Sequence, residues 1–308
     1  MTIPDYQSLM FPVLRLAAER ETRVPDVAER VADELGLTRA ERDELLPSGR
    51  QRVLHNRIHW AKFYMGKAGL IASPARGRFV ATQKGRALLA TAPERIDVAL
   101  LMQDPVFREF YKNNGSMAEP DGAVAKPVDE ASARTTPEEQ IDAAYASLQA
   151  ALRDELLQRI LANSPAFFEQ LIVDLLVAMG YGGSHKDAAA QLGRSGDGGV
   201  DGIVNEDRLG LDRIYVQAKR YATGCPVSRP DVNGFVGSLV GLGATKGVFV
   251  TTSTFSQPAR DYVKHLSQRI ILIDGQELAD LMIEHGVGVR GYRTIEFTRL
   301  DEDFFAEE

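Results

Sequence analysis

The 308-residue sequence predicts two domains: a mainly α domain closed by a short β-hairpin, then an α/β domain with a mixed sheet flanked by helices. Three observations predict it. Residues 113–137, NNGSMAEPDGAVAKPVDEASARTTP, are rich in Pro, Gly, Ser and Ala and almost devoid of large apolar side chains, as a linker is. Upstream of it, apolar residues recur at helical spacing as far as a turn built on Pro74 and Gly77. Downstream, helical stretches alternate with short, β-branched apolar runs. The expected divisions are 1–112, 113–137 and 138–308.

The first domain reads as helices over 5–20, 25–36, 38–46 and 50–69. Thr38 with Glu41 three residues on has capping-box spacing, so a helix should start there. In the fourth helix Leu54, Ile58, Ala61 and Met65 step by four, three and four residues, as a core stripe does, and Trp60 and Tyr64 widen it. Arg52, His55, Asn56, His59 and Lys62 form a polar stripe on another side, and with Arg57 they are the expected DNA contacts of this helix. His55 and His59 are four apart, but with no intervening glutamate and no third ligand a zinc site is not expected. A turn over 73–78, a strand over 79–82 and a helix over 83–89 follow. Helices ending in a hairpin tipped by Arg76 and Arg78 describe a winged helix-turn-helix, with helix 50–69 in the DNA major groove and the hairpin against the backbone.

Charge supports that reading. The net charge of −7 taken whole argues against a polyanion, but the charge is unevenly spread. Residues 1–112 carry 18 Lys+Arg against 14 Asp+Glu, and residues 138–308 carry 16 against 25. Residues 50–90 hold nine Lys or Arg and no acid. A one-sign block of this kind is the footprint of nucleic-acid binding, with a solvated basic face as its bland alternative. The single cysteine, Cys225, excludes an internal disulfide and a cysteine-based zinc site. No stretch is apolar enough to span a bilayer, and the first residues read as an amphipathic helix, not a signal peptide. A cytoplasmic protein with no membrane partner is expected.

The second domain reads as helices over 138–161 and 165–179, a hairpin of strands over 199–205 and 212–220, and a helix over 229–242. A strand at 247–252, a helix at 256–267, a strand at 269–273 and a helix at 275–286 complete it. The late strands are continuous apolar runs between helices, so that part of the sheet should be parallel and covered on both faces. In the strand Ile214-Tyr215-Val216-Gln217-Ala218-Lys219, period two sets Gln217 and Lys219 on one face and Val216 and Ala218 on the other. An amide and an ammonium side by side, facing Asp201 on a neighbouring strand, make a poor core and a suitable cradle for a divalent metal and a water beside a phosphate.

These residues resemble the catalytic domain of the Mrr-type, modification-dependent restriction endonucleases, a branch of the PD-(D/E)xK nucleases. The matching runs are Phe167-Phe168-Glu169-Gln170-Leu171, Gly198-Gly199-Val200-Asp201-Gly202, Val216-Gln217-Ala218-Lys219-Arg220-Tyr221 and Gly247-Val248-Phe249-Val250-Thr251-Thr252. Asn56-Arg57-Ile58-His59-Trp60-Ala61 through Ile71, with Ser73-Pro74 and Arg76-Gly77, resembles that family's winged helix. The resemblance implies a restriction-endonuclease-like α/β fold that hydrolyses phosphodiester bonds in methylated foreign double-stranded DNA and leaves a 5′-phosphate. It implies Mg²⁺ held by Asp201, Gln217 through its carbonyl oxygen, and Glu169 as outer carboxylate. Lys219 would activate the water or steady the phosphate. Gln217 stands where a carboxylate is usual, a variant the Mrr branch shares. Asp197 is an alternative acid or a turn-former. A homo-oligomer is implied, since cutting two strands needs two sites. Two other readings stay open: a DNA-binding regulator with a silent nuclease-like domain, and a site-specific enzyme indifferent to methylation. His185, His265 and His285 suggest no nucleophilic arrangement.

Overall fold

The computed structural model describes residues 3–115, 134–182, 199–206, 211–222, 224–298 and 300. Two compact units emerge, Met1–Ala146 and Ser147–Thr298. Among the described residues no helix is long and apolar enough to cross a membrane.

The first unit begins with α1 (Met10–Glu19), β1 (Thr22–Arg23), α2 (Val24–Glu34) and α3 (Arg39–Arg42). The Thr38/Glu41 capping box forms as its spacing predicts and starts α3. Then come α4 (Val53–Lys67), β2 (Ile71–Ala72), β3 (Arg78–Ala81), α5 (Gln83–Ala90), α6 (Val98–Leu101) and α7 (Pro105–Gly115). Strands β2 and β3 form an antiparallel hairpin, and β1 adds to β3 in the order β1-β3-β2. Gly77, at the hairpin tip, has φ +66°, a conformation that only glycine adopts without strain. This is a winged helix. Leu54, Ile58, Ala61 and Met65 of α4 are all buried in its core, as the stripe predicts. Sequence patterning missed β1, too short to show a period, and α6 and α7.

The helix α8 (Pro137–Ala162) follows. The second unit comprises the later turns of α8, then α9 (Pro165–Ala178), β4 (Gly202–Asn205), β5 (Arg213–Lys219) and α10 (Arg229–Gly241). It continues with β6 (Lys246–Thr251), α11 (Gln257–Val263), β7 (Arg269–Ile273) and α12 (Gly275–Glu284). The sheet order is β4-β5-β6-β7, with β4 antiparallel to β5 and the rest parallel. Ser164, Ser228 and Asp274 cap α9, α10 and α12 with their side chains. Each cap satisfies a backbone N–H that the helix start leaves unpaired.

Two cores sandwich this sheet. Val204, Ile214, Val216, Val248 and Val250 face α9 and α12, with Leu156 and Ile160 of α8. Phe249 and Ile270 face α10 and α11, where Phe235, Phe249 and Phe255 meet edge to face at 5.4 and 5.5 Å. Each such buried ring contributes about 1.5–3 kcal/mol of burial. The period-two reading of β5 follows from this layering: Val216 enters the α9 core, while Tyr215 borders the α10 core.

Candidate active site

Asp201 sits one residue before β4, opposite the end of β5. Its backbone N–H donates to the Val216 carbonyl at 2.8 Å, which extends the β4–β5 ladder to this residue. Its carboxylate oxygen Oδ2 then accepts two hydrogen bonds from β5, from the Ala218 backbone N–H at 2.7 Å and from the Gln217 side-chain amide. The strand therefore holds Asp201 with one backbone and one side-chain donor, both on Oδ2, and among the described residues its other oxygen accepts no hydrogen bond.

Gln217 is buried, at 5% exposure. Its amide nitrogen faces Asp201, and its oxygen lies towards Gly199, where an added Cβ would stand 3.7 Å from Oε1 and 3.0 Å from Ser238 Oγ of α10. Gly199 has φ +76°, so both its backbone and the space beside it favour glycine. The resemblance implies the carbonyl oxygen of Gln217 as a metal ligand. In this arrangement its nitrogen meets the carboxylate, because two acceptors facing each other would repel. Ligation through the carbonyl would require the amide to turn over.

Lys219 lies two residues on, on the same face, and no hydrogen bond holds its ammonium among the described residues. Its backbone carbonyl accepts from Thr251 Oγ1 at 2.8 Å, so the main chain beneath it is fixed. Its positive charge reaches Asp231 in the first turn of α10, whose carboxyl is held below its ordinary value chiefly by the Ser228 hydroxyl. Glu169, on α9, is partly buried. Burial raises its carboxyl above the usual value and the negative charge of Asp201 raises it further. Asp201, Gln217, Lys219 and Glu169 are thus brought to one region. Asp197 and His185 lie outside the described residues.

Two carboxylates that repel each other, with no ion-pair partner among the described residues, suit a hard divalent cation with oxygen ligands. Among the described residues no cluster of three or more His, Cys, Asp or Glu could hold a metal alone. Such an ion would need water, substrate oxygen or the turned Gln217 amide to complete its shell, as Mg²⁺ sites commonly do.

The expected DNA-contacting residues separate into two groups. Arg52, His55, His59 and Lys62 step by three, four and three along one side of α4. His59 is exposed, the others half-buried. Arg52 pairs with Asp43 at 2.7 Å, and Lys62 lies over the Phe79 ring. Burial lowers the His55 imidazole below its ordinary value and the neighbouring Arg52 charge adds to this, which favours its neutral form. Arg76 and Arg78 are exposed on the hairpin, with Arg78 paired to Glu21 at 2.9 Å.

Asn56 of the polar stripe and Arg57, both expected to contact DNA, are instead engaged within the protein. Asn56 is 1% exposed and accepts from the Thr136 hydroxyl at 2.7 Å. Arg57 binds Glu139 at 2.7 and 2.9 Å and also donates to the Ile3 and Pro4 carbonyls. Trp60 Nε1 donates to Glu138. The start of α8, itself shaped by a Thr136–Glu139 capping pair, thus covers this side of α4. Partners some 80 residues apart leave no local sequence signal. Asp231 was also missed, although Ser228-Arg229-Pro230-Asp231 has the spacing of a helix start.

Comparison with known proteins fits this architecture. A family model described as "Mrr N-terminal domain" matches residues 6–91, and one described as "Restriction endonuclease" matches residues 160–282. The chain is 37% identical over 313 residues to the type IV methyl-directed restriction enzyme EcoKMrr of Escherichia coli strain K12, across 99% of this chain and 100% of that protein. The chain belongs to the Mrr family of restriction endonucleases. Two solved structures are more distant. The MspJI restriction endonuclease with a 27-mer oligonucleotide matches at 21% identity and TM-score 0.34, over 66% of this chain and 42% of that one. The DNA modification-dependent restriction endonuclease AspBHI matches at 18% and 0.35, over 71% and 57%. Family membership rests on the two family models and the full-length relative. This Mrr-family chain is accordingly a DNA endonuclease of the restriction type, with a winged helix followed in sequence by a restriction-endonuclease-like α/β unit.

Proposed function

We propose that this Mrr-family endonuclease cuts methylated foreign double-stranded DNA with Mg²⁺, through a centre made of Asp201, Glu169, Gln217 and Lys219. The observation that carries the reading is the Asp201 carboxylate, held by β5 on one oxygen and opposed by the Glu169 charge. Asp201 and Glu169 would hold the cation, which when bound supplies charge neutralisation to the scissile phosphate. Gln217 fixes the Asp201 carboxylate, and its amide oxygen is available to the cation when the amide turns. Lys219 carries its charge on a short, well-fixed piece of backbone, where it orients the attacking water or steadies the phosphate in the transition state. The proposed divisions are a winged-helix domain over 1–112, a linker over 113–137 and a nuclease domain over 138–308. Two-strand cleavage further calls for a dimer or larger assembly in the cytoplasm.

Methyl direction is suggested by the full-length relative, whose name carries it. Cleavage of matched oligonucleotide duplexes with and without methylated adenine or cytosine decides it. Faster cutting of a methylated duplex is expected, and equal rates on all of them would establish a methylation-indifferent enzyme.

For DNA seating, the open side of α4 and the hairpin carry Arg52, His55, His59, Lys62, Arg76 and Arg78. Removing Arg52 and Lys62 together by alanine should weaken binding and flatten its salt dependence, by about 0.9 in log–log slope for each phosphate no longer neutralised. Fluorescence anisotropy over a salt series measures this, and an unchanged slope would move the DNA surface elsewhere. Asn56 and Arg57, engaged by α8, would touch DNA only if the start of α8 moved off.

A further inference from the structure

We infer that Arg220 is a positioning residue for the metal centre: its guanidinium ties the turn between α8 and α9 to the end of β5, and so sets where α9 places Glu169. This rests on the proposal that Glu169 holds the cation, and deepens it. Val216 and Ala218 lie on the face of β5 that meets α9, and Arg220, two residues further, continues that face beyond the strand. From there its Nη1 donates to the Leu161 carbonyl at 2.6 Å and to the Asn163 carbonyl at 2.7 Å. Leu161 belongs to the last turn of α8, where helix carbonyls lack intrahelical partners and the helix dipole favours a positive group. Two neighbouring carbonyls are satisfied locally. That of Arg159 accepts from the Asn163 side-chain amide at 2.8 Å, and that of Ile160 from the Asn163 N–H at 3.2 Å. Leu161 and Asn163 instead take their donor from the end of β5.

Little else holds this turn. Residues 162–167 are all exposed, Phe167 included at 43%, and apolar burial resumes at Phe168. Ser164 caps α9 by accepting from the Phe167 N–H at 3.1 Å, which shapes the helix start without fixing it to the sheet. Among the described residues, the hydrogen bonds that join residues 161–167 to the sheet side come from Arg220. Glu169 follows in the second turn of α9, so a shift of the helix start is passed on to its carboxylate. The guanidinium is committed to this contact. Among the described residues it forms no ion pair, and its Nε is buried without an acceptor. A donor buried in that way is costly, so the side chain is held here by its two carbonyl contacts.

The test is the Mg²⁺ dependence of thermal melting of the full chain, which reads the cation without DNA, alongside single-turnover cleavage of a methylated plasmid. Arg220→Met keeps the stem and removes the donors. The carbonyl of the exposed Asn163 can then turn to water, so the protein should fold. The Mg²⁺ concentration at half the melting rise should increase about tenfold, the lower end of what losing a residue that supports a metal ligand costs. Cleavage should slow at low Mg²⁺ and approach the wild-type rate at saturation, with DNA affinity unchanged. Arg220→Lys, whose ammonium can still meet helix-end carbonyls, should recover part of the shift. In a Glu169→Gln background, Arg220→Met should move the midpoint no further. An unchanged Mg²⁺ midpoint in Arg220→Met, whatever becomes of the metal-free melting temperature, would make Arg220 a structural cap and overturn the inference. So would the same shift repeated without Glu169. An unchanged midpoint in Glu169→Gln, or no Mg²⁺ response in the wild type, would instead refute the proposed cation site.

Discussion

Replacing Lys219 with alanine is expected to lower the single-turnover cleavage rate by about a hundred- to a thousandfold, with DNA affinity within about twofold of wild type. The magnitude follows from what the side chain is placed to do. A positive group aimed at developing charge inside a partly desolvated site acts mainly in the transition state, so its removal lowers kcat and not binding. The fold should tolerate the change, because the ammonium makes no hydrogen bond among the described residues and the strand is held through the main chain. Quenched-flow cleavage with enzyme in excess, alongside anisotropy for binding, separates the two quantities. Equal rates for wild type and variant would remove Lys219 from the mechanism. Intact binding with no cleavage by either protein would favour the alternative of a regulator with a silent nuclease-like unit.

The second large effect concerns Asp201. Asp201→Asn retains an oxygen able to accept the Ala218 N–H, but it removes the charge that, with Glu169, would hold the proposed cation. In the wild type, Mg²⁺ at tenfold over its dissociation constant should stabilise the folded protein by about 1.4 kcal/mol by mass action. The variant should lose that increment as well as its activity. A thermal melt with and without Mg²⁺ reads the binding step without DNA, so metal affinity and catalysis are judged apart. A melting rise in Asp201→Asn equal to that of wild type would mean the cation is held elsewhere.

Much of this centre was legible in the sequence because β5 is short, regular and read at period two. Val216 goes to the α9 core, Gln217 and Lys219 to the other face, and Asp201 pairs across the hairpin at the end of the same ladder. The winged helix was legible for a similar reason: the stripe Leu54–Ile58–Ala61–Met65 has one periodicity and one solution. What was not legible depends on packing between distant parts of the chain. Asn56 looks like a member of the polar stripe and Arg57 like a DNA contact until Thr136 and Glu139 are placed beside them. Asp231 looks like an ordinary capping residue until its carboxylate is placed 3.5 Å from the Tyr221 hydroxyl, two residues beyond the end of β5. The direction of the Gln217 amide was equally hidden. Residue type allows either end to face Asp201, and only the shared acceptor character of the two oxygens decides it.

The central claim is that this chain cuts DNA with a divalent cation at the Asp201 centre. Supercoiled methylated plasmid incubated with the wild-type protein, once in Mg²⁺ and once in EDTA, tests it most directly. Nicked and linear products in Mg²⁺ and intact supercoils in EDTA are the predicted result. Equal cleavage in EDTA, or none in Mg²⁺, would contradict it.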